Sequence, residues 1–296
     1  MSRPASALTG IALVTVAVAC FATLDTTAKW TNASVPLLMT LWFRYFFQAS
    51  VTTITMLPVR GWALLKTAHP KFQCLRGVLL LTTSLFSFFS LRYMPVGEFT
   101  AIVMITPLVI TFVAALLGEP VSPARWLLVA GGFVGTLIII RPGADTFKWT
   151  TLLPLGLVAA NAWFQVLTSR LAKTEDPFTM HFYTGWIGTI LASLPLPFVW
   201  VQVHDWRLWA GMLLMGLMGT AGHFLLILAY ARTPAATLTP FLYGQIGFAM
   251  LASWLVFSHL PDTWATLGIM LIAICGAGGA WLTVRERRIQ VQPTES

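Results

Sequence analysis

Long apolar runs separated by short polar breaks fill this chain. A helix needs ~20 apolar residues to cross a bilayer, and the runs place ten of them. Their approximate ranges are 7–27, 36–57, 74–92, 97–117, 124–141, 151–171, 178–198, 208–230, 235–257 and 264–284. In lipid the backbone must satisfy its own hydrogen bonds, so such spans are helices. The alternating ~10-residue polarity of a membrane β-barrel is absent. Two stretches stand out. Residues 91–119 begin with the turn Pro95-Val96-Gly97 and the carboxylate Glu98, break at Thr106-Pro107, and end on Gly118-Glu119. Residues 229–260 repeat the plan, with Pro234 in a turn and Pro240 inside the span. A proline within a span removes a backbone donor. A broken span in each half points to a binding site at mid-membrane, with Pro107 and Pro240 as hinges.

A repeat underlies the resemblance of the two stretches. Lys29 and Arg170, Pro36 and Pro177, and Met39 and Met180 are each 141 apart, and Trp126 and Trp264 are 138 apart. The spacing fits two copies of a five-helix unit, 1–146 and 147–296. Five is odd, so the second copy enters the membrane upside down, as in transporters whose halves rock around a central site. Basic residues orient the whole. Twelve Lys and Arg fall on the side of the two termini, five fall opposite, and Arg44 lies within a span. That bias predicts cytoplasmic N and C termini.

The expected fold class is therefore all-α integral membrane, ten transmembrane helices in two inverted five-helix repeats. Composition agrees: 57% hydrophobic and 9% charged, where a soluble domain is about a quarter charged. The net charge of +8 follows from the loops and tails and calls for no nucleic-acid partner. Cys20, Cys74 and Cys275 have no metal-site spacing and read as small apolar residues. Arg3 followed by an apolar run with Ala17-Val18-Ala19 imitates a signal peptide, and reads as an uncleaved first span. No nucleophile elbow, metalloprotease or nucleotide-loop motif occurs. The expectation is a secondary transporter, not an enzyme, with no cofactor or metal.

Polar residues at depth carry the chemistry. Trp163 lies mid-span beside Asn161 and Gln165. His223 lies among Gly216, Gly219 and Gly222; it reads as a proton or carboxylate partner, or as a satisfied core histidine. Arg44 reads as a site residue or one member of a structural ion pair. Asp25 and Lys29 are spaced to pair at i,i+4, and Glu98 is placed to cap its helix. Thr237, Thr239, Pro240, Tyr243 and Gln245 gather in the ninth span, as Thr106 and Pro107 do in the fourth. Gly131 and Gly135 in the fifth span and Gly276 and Ala280 in the tenth offer small faces for packing or for a dimer contact.

The ten-span pattern, the inverted repeat and the Pro-Val-Gly…Pro…Gly-Glu order from Tyr93 to Glu119 resemble the drug/metabolite transporter superfamily, EamA type. More narrowly, the chain resembles bacterial exporters of aromatic and other neutral amino acids. The resemblance implies a multi-pass protein of the bacterial inner membrane, monomer or weak homodimer, working by alternating access. It also implies a cavity drawn from Asp25, Phe86, Met104, Thr106, Trp163, Gln165, His223, Tyr243 and Gln245. The second repeat departs from the pattern, with Val256-Phe257 where the first has Gly118-Glu119. A drug or other metabolite exporter is the alternative substrate reading. A membrane scaffold or intramembrane enzyme is the reading from another class.

Overall fold

A computed structural model describes residues 4–116, 122–141, 148–172, 174–233, 238 and 241–291. Helices in chain order are α1 (Pro4–Thr31), α2 (Leu37–Arg60), α3 (Pro70–Tyr93), α4 (Val96–Val103), α5 (Thr106–Leu116), α6 (Pro123–Ile140), α7 (Leu153–Leu171), α8 (Pro177–Ser193), α9 (Leu196–Val199), α10 (Trp206–Arg232), α11 (Gly244–Phe257) and α12 (Thr263–Val291). No strand occurs among the described residues. Among the described residues, five segments are long and apolar enough to cross a membrane: Leu8–Thr31, Pro70–Tyr93, Pro123–Ile140, Trp149–Thr168 and Trp206–Arg232. Val96–Ile110, Gly244–Phe257 and Thr263–Gly279 are shorter apolar helices. Among the rest, α2 carries Arg44, Gln48 and several threonines, and α8 has 17 residues.

Local chemistry sets the ends. Proline opens α3, α6 and α8, where its missing N–H costs nothing. Asp176 caps α8 by accepting from the N–H groups of Phe178 and Thr179 at 3.0 Å, and Asp205 caps α10 through Arg207 N–H at 2.8 Å. The predicted fourth span is broken: α4 stops at Val103, α5 restarts at Thr106, and Pro107 follows directly. Pro240, Thr237, Thr239, Gly118 and Glu119 lie outside the described residues. Glu98 lies in the first turn of α4, where a carboxylate favours the helix N-terminus. Its carboxylate faces His259 at 3.6 Å.

Helix packing exchanges onto itself between the halves. When the ten predicted spans are paired first with sixth, second with seventh and so on, α2 packs on α8, α4 on α11 and α6 on α12. Each of those is a pair of equivalents. The contact of α1 with α10 exchanges with that of α3 with α7, and α2 with α10 exchanges with α3 with α8. Close approach is built on glycine. A Cβ at Gly135 would lie 2.9 Å from Gly268 O, so α6 and α12 touch backbone to backbone. Gly131 and Gly135 of the fifth span thus meet the tenth span within one chain, at Cys275, Gly268 and Ile272, whereas Gly276 faces Tyr243.

Candidate functional site: a polar cavity between the halves

A cavity of about 140 Å³ lies where α1, α2, α3, α4, α5, α7 and α10 converge with the segment around Leu242 and Gln245. Phe21, Phe88, Phe99, Phe164 and Tyr230 supply aromatic wall, and Thr83, Ser84, Ser87, Thr106, Asn161, Gln165 and Gln245 supply hydrogen-bonding groups. Asp25, Arg44 and His223 complete it. The mixture of apolar wall and few convergent polar groups is that of a small-molecule site.

Arg44 is the fixed point of the polar side. It is 3% exposed. Its Nη1 donates to Ser84 Oγ at 2.5 Å and its Nη2 to His223 Nε2 at 2.9 Å. Its guanidinium carbon sits 4.8 Å from the centre of the Tyr45 ring, and Tyr45 Oη shares Ser84 Oγ at 2.8 Å. Among the described residues no carboxylate lies within 4.0 Å of it, so the structural ion pair considered for Arg44 is not formed. Asp25 holds the opposite sign in the same cavity. It accepts weakly from Ser87 Oγ at 3.4 Å and Gln245 Nε2 at 3.5 Å. Nor does it pair with Lys29, whose ammonium donates to the carbonyls of Leu91 and Met94 at 2.7 and 2.8 Å. An unpaired carboxylate and an unpaired guanidinium inside a membrane bundle are costly, and such groups mark substrate paths.

Of the residues expected at the site, Asp25, Met104, Thr106, Gln165, His223 and Gln245 line the cavity, with Pro107 at the α4–α5 break. Three do not. Trp163 is 58% exposed on the outside of α7. Its sequence neighbours Asn161 and Gln165 are not its spatial neighbours, because one residue turns a helix by about 100°. Leu157, Asn161, Phe164 and Gln165 follow the three-to-four spacing of the inner face, and Trp163 falls off it. Tyr243 is buried in a notch at Gly276, where an added Cβ would come 1.9 Å from its ring. Phe86 packs on Gly156 of α7. The phenylalanines and serines of the wall were not anticipated. Projecting Asn161 and Gln165 along their helix face identifies Phe164, whereas Phe88 and Phe99 carry no signal apart from the apolar run around them.

The sequence profile of the EamA-like transporter family matches this chain twice, over residues 8–141 and 148–281. A riboflavin transporter of Rhizobium johnstonii is 30% identical over 281 residues, 91% of this chain and 90% of that one. An S-adenosylmethionine uptake transporter of Rickettsia conorii is 25% identical over 267 residues, 90% of each. A solved crystal structure shares the fold at a TM-score of 0.66 and 18% identity, covering 96% of this chain and 99% of its own. The two matches are related by a shift of 140, from residue 8 to residue 148. That shift carries Phe21, Leu24 and Asp25 onto Asn161, Phe164 and Gln165, and Thr83 onto His223, and all eight line the cavity. The cavity is thus shared by equivalent positions of two copies of one unit, and the chain belongs to the EamA-like transporter family.

Proposed function

We propose that the protein is a secondary transporter with ten spans in two inverted repeats, 1–146 and 147–296. It passes a flat-ringed, hydrogen-bonding metabolite through the Arg44–Asp25 cavity by alternating access. Riboflavin is the first candidate. The observation that carries the reading is the cavity lining: phenylalanine walls beside a row of amide, hydroxyl and guanidinium groups. An isoalloxazine ring packs on the former. Its carbonyl edge and a polyol chain occupy donors such as Arg44, Gln165 and Gln245. The riboflavin transporter similarity points the same way. The bacterial inner membrane, with both termini cytoplasmic, is the proposed setting.

A second reading is a zwitterionic substrate, either an aromatic amino acid moved outward or a compound like S-adenosylmethionine. It is favoured by the opposite charges of Asp25 and Arg44, which face one cavity without pairing. Counterflow in proteoliposomes decides. Vesicles preloaded with unlabelled riboflavin should accumulate labelled riboflavin above protein-free vesicles, and aromatic amino acids and S-adenosylmethionine serve as competitors. No riboflavin counterflow, with competitor flux intact, selects the second reading. No flux of any of them removes both.

A further inference from the structure

On the far side of Phe164 from the cavity lies a second polar cluster that the transport reading does not use. Arg76 of α3 is 1% exposed. Its Nε donates to Thr168 Oγ1 at 2.8 Å and its Nη1 to the Met180 carbonyl at 2.7 Å. Its guanidinium rests 5.2 Å from the centre of the Phe164 ring. Among the described residues no carboxylate lies within 4.0 Å of it. Gln73, one turn away on the same face of α3, is fully buried, and neither atom of its amide has a partner among the described residues. His181, next to Met180, is 3% exposed with Nε2 unpartnered. Gln48 donates to the His181 carbonyl at 3.1 Å, and its own Oε1 has no partner.

The fold does not demand this chemistry. The 140-residue shift places Leu213 at the equivalent of Gln73, Gly216 at Arg76, Gly188 at Gln48 and Leu41 at His181. There the same helix pairs close with apolar groups: Phe47 packs over Gly216 and Tyr45 over Gly188. The polar groups of Gln73, Arg76, Gln48 and His181 have no counterpart at those equivalent positions. Water would satisfy the orphaned amides but leave the charge of Arg76 uncompensated in the membrane. A bound anion accepts from the amide N–H of Gln73 and offsets the charge of Arg76.

We propose that Arg76, Gln73 and His181 form a binding site for a small monovalent anion, chloride or a carboxylate group. Phe164 is the wall between that site and the substrate cavity. The test uses the full chain in lipid nanodiscs at constant ionic strength, replacing gluconate stepwise with chloride or with formate and following the thermal midpoint. Either anion should raise the midpoint saturably. A response to chloride identifies a free inorganic anion, and a response to formate alone identifies a carboxylate. Arg76→Gln should weaken the response about tenfold or more, the loss of a charge-assisted contact, and Arg44→Gln should keep it. Gln73→Leu and His181→Phe should each weaken it, and they decide the matter if Arg76→Gln does not fold. No saturable response in the native chain overturns the site. So does a response that survives Gln73→Leu and His181→Phe, or one abolished by Arg44→Gln alone.

Discussion

Arg44 Nη2 lies 2.9 Å from His223 Nε2. Arginine has donors and no acceptor. His223 therefore accepts at Nε2 and is neutral, with its proton on Nδ1. The histidine acts as a bracket that aims the guanidinium into the cavity from α10, as Ser84 does from α3.

This fixes how His223 substitutions should behave. His223→Gln supplies a carbonyl oxygen and should keep transport within a few-fold. His223→Leu leaves a buried guanidinium N–H unsatisfied, at about 1–3 kcal/mol, and should lower flux tenfold or more. Arg44→Lys should fail as well, because an ammonium does not span Ser84 and His223 together. Initial rates of counterflow for the three variants check the order. Equal rates for His223→Gln and His223→Leu would remove the bracket role.

Gly219 and Gly188 separate function from stability. A Cβ at Gly219 would lie 3.0 Å from Arg44 Nε, a side-chain atom rather than backbone. Gly219→Ala should displace Arg44, cut transport and leave the thermal midpoint nearly unchanged. A Cβ at Gly188 would lie 2.2 Å from the ring of Tyr45, a wholly buried residue. Gly188→Ala should destabilise by about 1–3 kcal/mol, the usual result of overpacking a core. Thermal melts read beside transport rates distinguish the two outcomes.

Trp163 and Phe164 show what the chain made legible. Helix positions, the break before Pro107 and the self-similar halves follow from hydropathy and proline, which are local properties. Site membership depends on helix rotation, and a single residue changes it. Asn161 and Gln165 were identified by polarity and do line the cavity, but the tryptophan between them faces outward. Asp25 and Lys29 were spaced to pair, yet other helices offered Ser87 and Gln245 to one and backbone carbonyls to the other. Partners brought in by tertiary packing leave no trace in local spacing. Trp163→Ala should accordingly transport within about twofold of the native chain, as surface substitutions usually do. Phe164→Ala removes cavity wall and should lose most of the flux. The opposite result would put the substrate on the outer face of α7.

Asp262 offers a test outside the membrane segments. Its carboxylate accepts from Ala265 N–H at 2.8 Å at the start of α12, and Arg141 Nη2 at the end of α6 donates to it at 2.5 Å. Those hydrogen bonds, the backbone one first, hold its pKa below the ordinary 3.8, outweighing a slight opposing burial. A depressed carboxylate pKa stabilises the fold above the unfolded value, and the contribution is lost as pH falls through the folded one. The native chain should therefore lose thermal stability from about pH 5 downward more steeply than Asp262→Asn. The asparagine still caps α12 but carries no charge to titrate. The side chain is 53% exposed, so the ion pair itself is worth under about 1 kcal/mol. Asp262→Ala, which also loses the cap, should cost about 1 kcal/mol at neutral pH. Melting curves of the three proteins across that pH range should diverge below pH ~5. Parallel curves for native and Asp262→Asn chains would show that the α6–α12 link carries no pH-dependent stability.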